Sequence, residues 1–329
     1  MPTENHFSID EAAALRRFDT VIWGVIGVVA AIVLLSPIIT NFQIIWGSFV
    51  LPGFVSVLLI AGSWYYDKWR YEPRLSSALG GTAQFMVFAA AAAPLSYLAA
   101  SFGLPLQDGA LDAADKALGF DWMALLASLN AHPTMFTVLR AIYMSLSIQA
   151  TLIILCLAFT GRLAWLRIFI LAFMGTAIVT IAISAVLPAQ GPWSHYGLTA
   201  ADPSSIVPAT WTVWPVFHGL RDGTYRQLMA AGAEGVITFP SLHAALAVIL
   251  IMAMWPIARL RWLALGVNAA MLAATPIDGS HYLVDILAGI VIAILSFAAS
   301  RAALRRMATD PTLRIAGRRL AAGGQVASR

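Results

Sequence analysis

The sequence predicts an all-α, polytopic integral membrane bundle of about eight transmembrane helices with both termini cytoplasmic. Three observations predict it. Of 329 residues, 60% are hydrophobic and 11% are charged, against about a quarter charged in soluble domains. Mean hydropathy is +0.80. Uncharged stretches recur at the length of roughly 20 residues that a helix needs to cross a bilayer, and the basic residues between them alternate in density. A soluble globular enzyme and a disordered chain are excluded. So is a disulfide-stapled module, because Cys156 is the single cysteine and sits in an apolar run.

The elements follow in order. Residues 20–66 carry no charge, and Pro37, Asn41 and Gln43 break them into two spans. A third span lies at about 80–102, a fourth at 141–161 and a fifth at 168–187. A sixth, 235–260, is interrupted by Arg259; a short seventh covers 262–277, and an eighth, 279–300, holds Asp285. Gly161, Pro188, Gly191, Pro192, Pro240, Pro256, Pro276 and Gly279 supply the breaks. The chain thus divides into a cytoplasmic segment 1–19, a membrane domain 20–300 and a basic cytoplasmic tail 301–329.

The positive-inside rule tests this count. With the N-terminus inside, the inner segments hold Arg16 and Arg17; Lys68, Arg70 and Arg74; Arg162 and Arg167; Arg259 and Arg261; and Arg301, Arg305, Arg306, Arg314, Arg318, Arg319 and Arg329. These are sixteen of the 20 basic residues. The outer segments hold Lys116, Arg221 and Arg226, and Arg140 lies within a span. The pI near 9.5 therefore reports topology and not a nucleic-acid partner. The tail reads as a solvated positive flank beside lipid heads. Arg16-Arg17-Phe18 reads as a topogenic flank and not a cleaved signal. In a bacterium this places the protein in the inner membrane.

Two outer segments are long. Residues 103–133 carry Asp108, Asp112, Asp115 and Asp121, with Leu111, Ala114, Leu118 and Trp122 at helical spacing. That pattern predicts an interfacial amphipathic helix. Residues 188–239 are rich in Pro, Gly and Trp, and a loop of that length is functional or disordered. Trp193, Trp211 and Trp214 are expected at the headgroup level.

Ionisable residues at a span are costly and point to function. His243 opens the sixth span in Phe239-Pro240-Ser241-Leu242-His243; His281 and Asp285 open the eighth. Both starts face outside, although the spans were drawn without reference to them. Singly, each is an ordinary interfacial histidine or a structural carboxylate; together on one face they point to chemistry. His281 and Asp285 are i, i+4 and share a helix face, so the carboxylate accepts the imidazole N–H and raises its basicity. Pro240 and Ser241 suit a first turn whose free N–H groups form an anion site.

This arrangement resembles the type-2 phosphatidic acid phosphatase superfamily, in which one motif reads Pro-Ser-x-His and another ends in His-x-x-x-Asp. Here they are Pro240-Ser241-Leu242-His243 and His281-Tyr282-Leu283-Val284-Asp285. With Gly289 and the upstream Pro188-x-x-Gly191-Pro192-Trp193, residues 185–290 are similar to the aureobasidin-resistance-type inositol phosphorylceramide synthase branch. The superfamily's Lys-x6-Arg-Pro motif is absent, and Thr275 stands where an arginine is usual before the nucleophile. Arg221 and Arg140 are the candidate replacement cations, ahead of Arg226 and Lys116.

The resemblance implies a mechanism. His281 attacks phosphorus, Asp285 orients it, and His243 protonates the leaving alkoxide. Ser241, backbone N–H groups and an arginine hold the phosphate oxygens. No cofactor is implied, and no His-Glu-x-x-His zinc spacing occurs. The substrate expected is a lipid phosphate or phospholipid, with transfer of a phospho-headgroup between lipids favoured. A lipid phosphatase using water is the alternative. A transporter with a His/Asp proton relay is the rival from another class; its groups are expected at the midplane, and these lie near one face.

Overall fold

The computed structural model describes residues 9–200, 206–230 and 235–309, which leaves the tail from 310 and its four arginines outside the described residues. The chain is a helical bundle. Its long helices are α1 (Ile9–Ile39), α2 (Gly47–Lys68) and α3 (Pro73–Ala100). Two short helices follow, α4 (Asp108–Ala117) and α5 (Trp122–Asn130). Next come α6 (Pro133–Met144), α7 (Leu146–Phe159) and α8 (Leu163–Val186). The long loop carries α9 (Pro192–His195) and α10 (Trp214–Asp222). The chain then runs through α11 (Leu242–Met254), α12 (Arg261–Asp278) and α13 (Leu283–Thr309). Among the described residues a two-residue parallel pairing, Gln43–Ile44 with Gln227–Leu228, ties the turn between α1 and α2 to the long loop.

Among the described residues five helices are long and apolar enough to cross a membrane: α1, α2, α3, α8 and α13. The pair α6 and α7, bent by 50°, makes a sixth if it is one span. α11 is apolar but has 13 residues, and α12 is not among the five.

The boundaries differ from the sequence reading where charge was taken to end a helix. α1 starts eleven residues before the expected edge at Thr20 and runs through Pro37 to Ile39. α13 continues past 300 to Thr309. Charge marks where the bilayer ends, and backbone hydrogen bonding is indifferent to it. The sixth segment is helical only after Ser241, whose hydroxyl caps α11 by accepting from Ala244 N at 3.3 Å.

The outer segment 103–133 is also corrected. It forms two helices, not one interfacial helix. Trp122, Leu126 and Leu129 are buried with Trp193 and Ile277, and the Trp122 indole donates to the Pro276 carbonyl at 2.8 Å. Trp193 is likewise buried, stacked on Trp214 at 4.6 Å, and does not sit free among headgroups. Protein, and not lipid, covers these aromatic faces.

Packing follows the rules for helices without a solvent-driven hydrophobic effect, in which small residues permit close approach and polar groups bond across helices. Ser63 and Ser76 exchange hydrogen bonds with each other's carbonyls at 2.9 Å, joining α2 to α3. Arg167 of α8 pairs with Asp19 of α1 at 2.7 Å. Gly289 lets α13 close on α11: a Cβ there would stand 2.4 Å from the Ser241 carbonyl oxygen.

Replacing Gly289 by Ala forces these two helices apart. It is expected to destabilise the protein by about 1–3 kcal/mol, the usual cost of overpacking. Gly266, which has nothing within 4 Å of a built Cβ, is the control; Gly266→Ala leaves thermal unfolding in detergent unchanged or raised.

Candidate active site

His281 sits in the short break between α12 and α13. The break is tight: Ser280 has φ +51, and His281 N donates to the Pro276 carbonyl at 3.0 Å. A Cβ on Gly279 would lie 2.4 Å from the His281 ring and 2.9 Å from the Tyr143 hydroxyl, so only glycine lets the imidazole lie there. Asp285 follows in the first turn of α13. Its Oδ2 lies 3.2 Å from His281 Nδ1 and accepts from Tyr282 N at 2.9 Å. An ionised carboxylate only accepts, so against an ionised Asp285 the Nδ1–H is the donor of this pair. His281 is 3% exposed and Asp285 0%, a pair shielded from water.

His243 reaches the same place from α11. Ser241 N donates to the Asp285 backbone carbonyl at 3.1 Å, which docks the Pro-Ser turn onto the first turn of α13. The Tyr143 ring stacks on His243 at 4.2 Å and 13°, and the Tyr143 hydroxyl and the His281 ring both crowd Gly279. The three residues expected to act together are therefore brought together. Ser241 is fully buried, with its hydroxyl engaged as the α11 cap. Tyr143 was not singled out by the sequence; it is one aromatic among many, and its role shows only in three dimensions.

Helix α4 is the second unrecognised contributor. Asp115 accepts from Leu283 N at 2.7 Å and Val284 N at 2.9 Å, capping α13 directly behind His281. Asp108 accepts from Gly191 N at 2.8 Å and from the Tyr282 hydroxyl at 3.1 Å. Both carboxylates are buried. Burial pushes the Asp115 carboxyl above the usual carboxylate range, and the two N–H donors pull it back. Between them, Asp112 takes Lys116 and the Tyr196 hydroxyl. Gly191 has φ +98, and a Cβ there would overlap the Ser280 carbonyl, while Trp193 N donates to Ser280 Oγ at 3.0 Å. The Gly191-Pro192-Trp193 turn is thus pressed onto the histidine loop. The signal was present as acids seven apart, which share one helix face.

The cations divide. Arg140 Nε pairs with Asp278 at 2.8 Å, its Nη2 donates to the Val207 carbonyl, and its guanidinium lies 4.4 Å from the Phe136 ring centroid. It is fixed beside the loop that carries His281 and does not simply extend to the headgroups. Arg221 donates to the Leu104 carbonyl at 2.7 Å, and its Nη1 is buried without a partner among the described residues. Burial lowers its pKa, and Asp108 raises it. Arg226 is held by the Leu220 carbonyl, and Lys116 by Asp112. Among the described residues no hydrogen bond joins any of these four to His243 or His281. Thr275 is buried and bonds the Met271 carbonyl. Among the described residues no group of three or more His, Cys, Asp or Glu side chains could hold a metal ion.

The cap on α13 generates a test. Asp115→Asn keeps one acceptor and the shape but gives up the charge and the second acceptor. Turnover is expected to fall about 10- to 100-fold through misplacement of His281, with KM changed little. Helix content by circular dichroism stays the same. An unchanged turnover number would free α4 of any positioning role.

No curated protein and no solved structure matches the chain. A family model described as the PAP2 superfamily matches residues 109–299, a span that runs from α4 into α13 and takes in the His243–His281–Asp285 cluster and Asp115, with Asp108 one residue before its start. That match covers more than half of the chain, which belongs to the PAP2 superfamily.

Proposed function

We propose that this chain is a membrane lipid phosphotransferase or phosphatase that works through a phosphohistidine on His281. Membership of the PAP2 superfamily supports phosphatase- or phosphotransferase-type activity. The observation that carries the finer reading is the shielded His281–Asp285 pair at 3.2 Å with His243 stacked beside it.

The step balances as follows. The unprotonated Nε2 of His281 attacks the lipid phosphorus; the bond from phosphorus to the leaving oxygen breaks, and His243 gives that oxygen a proton. Asp285 stabilises the imidazolium character of the phosphorylated ring. An alcohol or water then attacks phosphorus, His243 takes its proton, and the P–N bond breaks. Donors fixed in advance hold the phosphate oxygens: the first-turn N–H groups of α11 beside Ser241, with Arg140 and Arg221 as the cations we assign.

The substrate assigned is a lipid phosphate or phospholipid. A cavity of about 270 Å³ opens beside Leu242, next to His243, and runs between α3, α7, α8 and α11. Phe85, Phe169, Phe173, Leu246 and Leu250 line it, a wall suited to a hydrocarbon chain. Headgroup transfer between lipids, as the inositol phosphorylceramide synthase likeness suggests, is the reading preferred; a water acceptor would make the chain a lipid phosphatase. We further propose that all eight segments cross the membrane with both ends cytoplasmic, which puts the histidines at the outer face.

Four measurements test this. His281→Ala is expected to abolish turnover while the protein still inserts. Asp285→Asn should lose orders of magnitude without reaching zero, as when a triad carboxylate is neutralised. An acid-labile, base-stable phosphoenzyme should be trapped in His243→Ala and be absent from His281→Ala; its persistence in the latter would sink the assignment. Mass spectrometry of products from labelled phosphatidylinositol, phosphatidylglycerol and ceramide separates the acceptors, since a new lipid means transfer and free phosphate means hydrolysis.

Topology has its own test. A cysteine at Leu118, exposed on the outer segment, should react with an impermeant reagent in intact cells, and one at Trp69 only after permeabilisation. The reverse pattern would put the chemistry on the cytoplasmic face.

A further inference from the structure

At the end of the bundle remote from the histidines, α11 is too short for its neighbours. Its 13 residues span about 20 Å at 1.5 Å each, against a hydrocarbon core of about 30 Å. The helices that flank it, α8 and α13, have 24 and 27 residues. Below Met254 the chain turns away, and a groove of about 640 Å³ is left between α8, α11 and α13. Its walls are apolar: Ile251 and Met252 from α11, Ile294 and Phe297 from α13. Trp165 and Trp255 stand at its sides.

Its rim is of one sign. Arg301, Arg305 and Arg306 line the groove, and no aspartate or glutamate does. They are exposed and i, i+4 and i+5 on α13. The Arg301 guanidinium lies 5.6 Å from the Trp165 ring centroid. Among the described residues none of the three arginines enters an ion pair. The catalytic apparatus cannot claim these charges: His281 is twenty residues before Arg301, about 30 Å along α13.

We infer that this groove is a binding site for an anionic phospholipid of the leaflet opposite the histidines. Three guanidinium groups match a phosphate diester, which they bind by paired N–H donors. The apolar wall takes an acyl chain. A tryptophan pair at the boundary fits the interfacial preference of that residue. Charge complementarity selects the ligand, because a zwitterionic lipid brings a cation to a rim that already holds three and offers it no acid. The lipid would fill the space α11 leaves and join α8 to α13.

The test uses the purified full chain in a neutral detergent. Phosphatidylglycerol, phosphatidylcholine and inorganic phosphate are added separately, and binding is read by native mass spectrometry and by the thermal midpoint. Phosphatidylglycerol is expected to be retained and to raise the midpoint; the other two are not. Neutralising a basic residue at a membrane surface weakens binding about fivefold, so Arg301→Gln with Arg305→Gln should lower phosphatidylglycerol affinity about 25-fold. Ala298→Trp keeps every charge and fills the groove, and it too should lose the lipid. Equal retention of the two lipids, a response to inorganic phosphate alone, or full binding by Ala298→Trp would each overturn the inference.

Discussion

Backbone N–H groups buried away from water must find acceptors, and here buried carboxylates supply them. The two irregular segments of the site, the Gly191-Pro192-Trp193 turn and the 279–284 break, expose donors where water is scarce. Asp108 and Asp115 of α4 take four of them, counting the backbone of Gln190, Gly191, Leu283 and Val284. Without those acceptors α13 has no fixed start, and His281 and Asp285 have no fixed orientation. The core of the bundle sets where helices run; α4 sets where the two halves of the site meet. The cost is acidic side chains packed directly behind His281.

Legibility in the sequence followed range. The His281–Asp285 relation was readable because it is local: i, i+4 on one helix has the same geometry in any helix. The Pro240-Ser241 start was readable for the same reason, and Ser241 does cap α11. Helical segments were readable from hydropathy, though their ends were not, because charge does not locate the last hydrogen bond. What escaped was long-range. Arg140 and Asp278 are 138 positions apart, and nothing local distinguishes their pairing from a cation reaching for headgroups. Asp115 and Leu283 are 168 apart, and a buried acid looks like a solvated one in a string of letters. The same ambiguity holds for Trp193, equally at home in lipid headgroups or under another tryptophan.

The two ends of the bundle solve opposite problems. At the histidine end, the segments 103–133 and 188–239 fold over the irregular backbone, so aromatic and acidic side chains become interior. At the other end α11 stops early and uncovers a face of its neighbours, edged by arginines on α13. One helix of 13 residues thus determines both, since its first turn must meet Asp285 and its length then fixes where it ends.

The 50° bend between α6 and α7 has a mechanical reading. It falls at Ser145, and Gln149 bonds the Ser145 hydroxyl at 2.8 Å while accepting from Asn268 of α12 at 3.0 Å, so the elbow is pinned to a neighbouring helix. Arg140 and Tyr143 lie above it on one half-helix, three residues apart. They form a single rigid lever whose one end holds the counter-ion of Asp278 and whose other end roofs His243. The elbow therefore puts a charge and an aromatic surface on one half-helix, so that the counter-ion of Asp278 and the ring stacked on His243 share one anchor at Asn268.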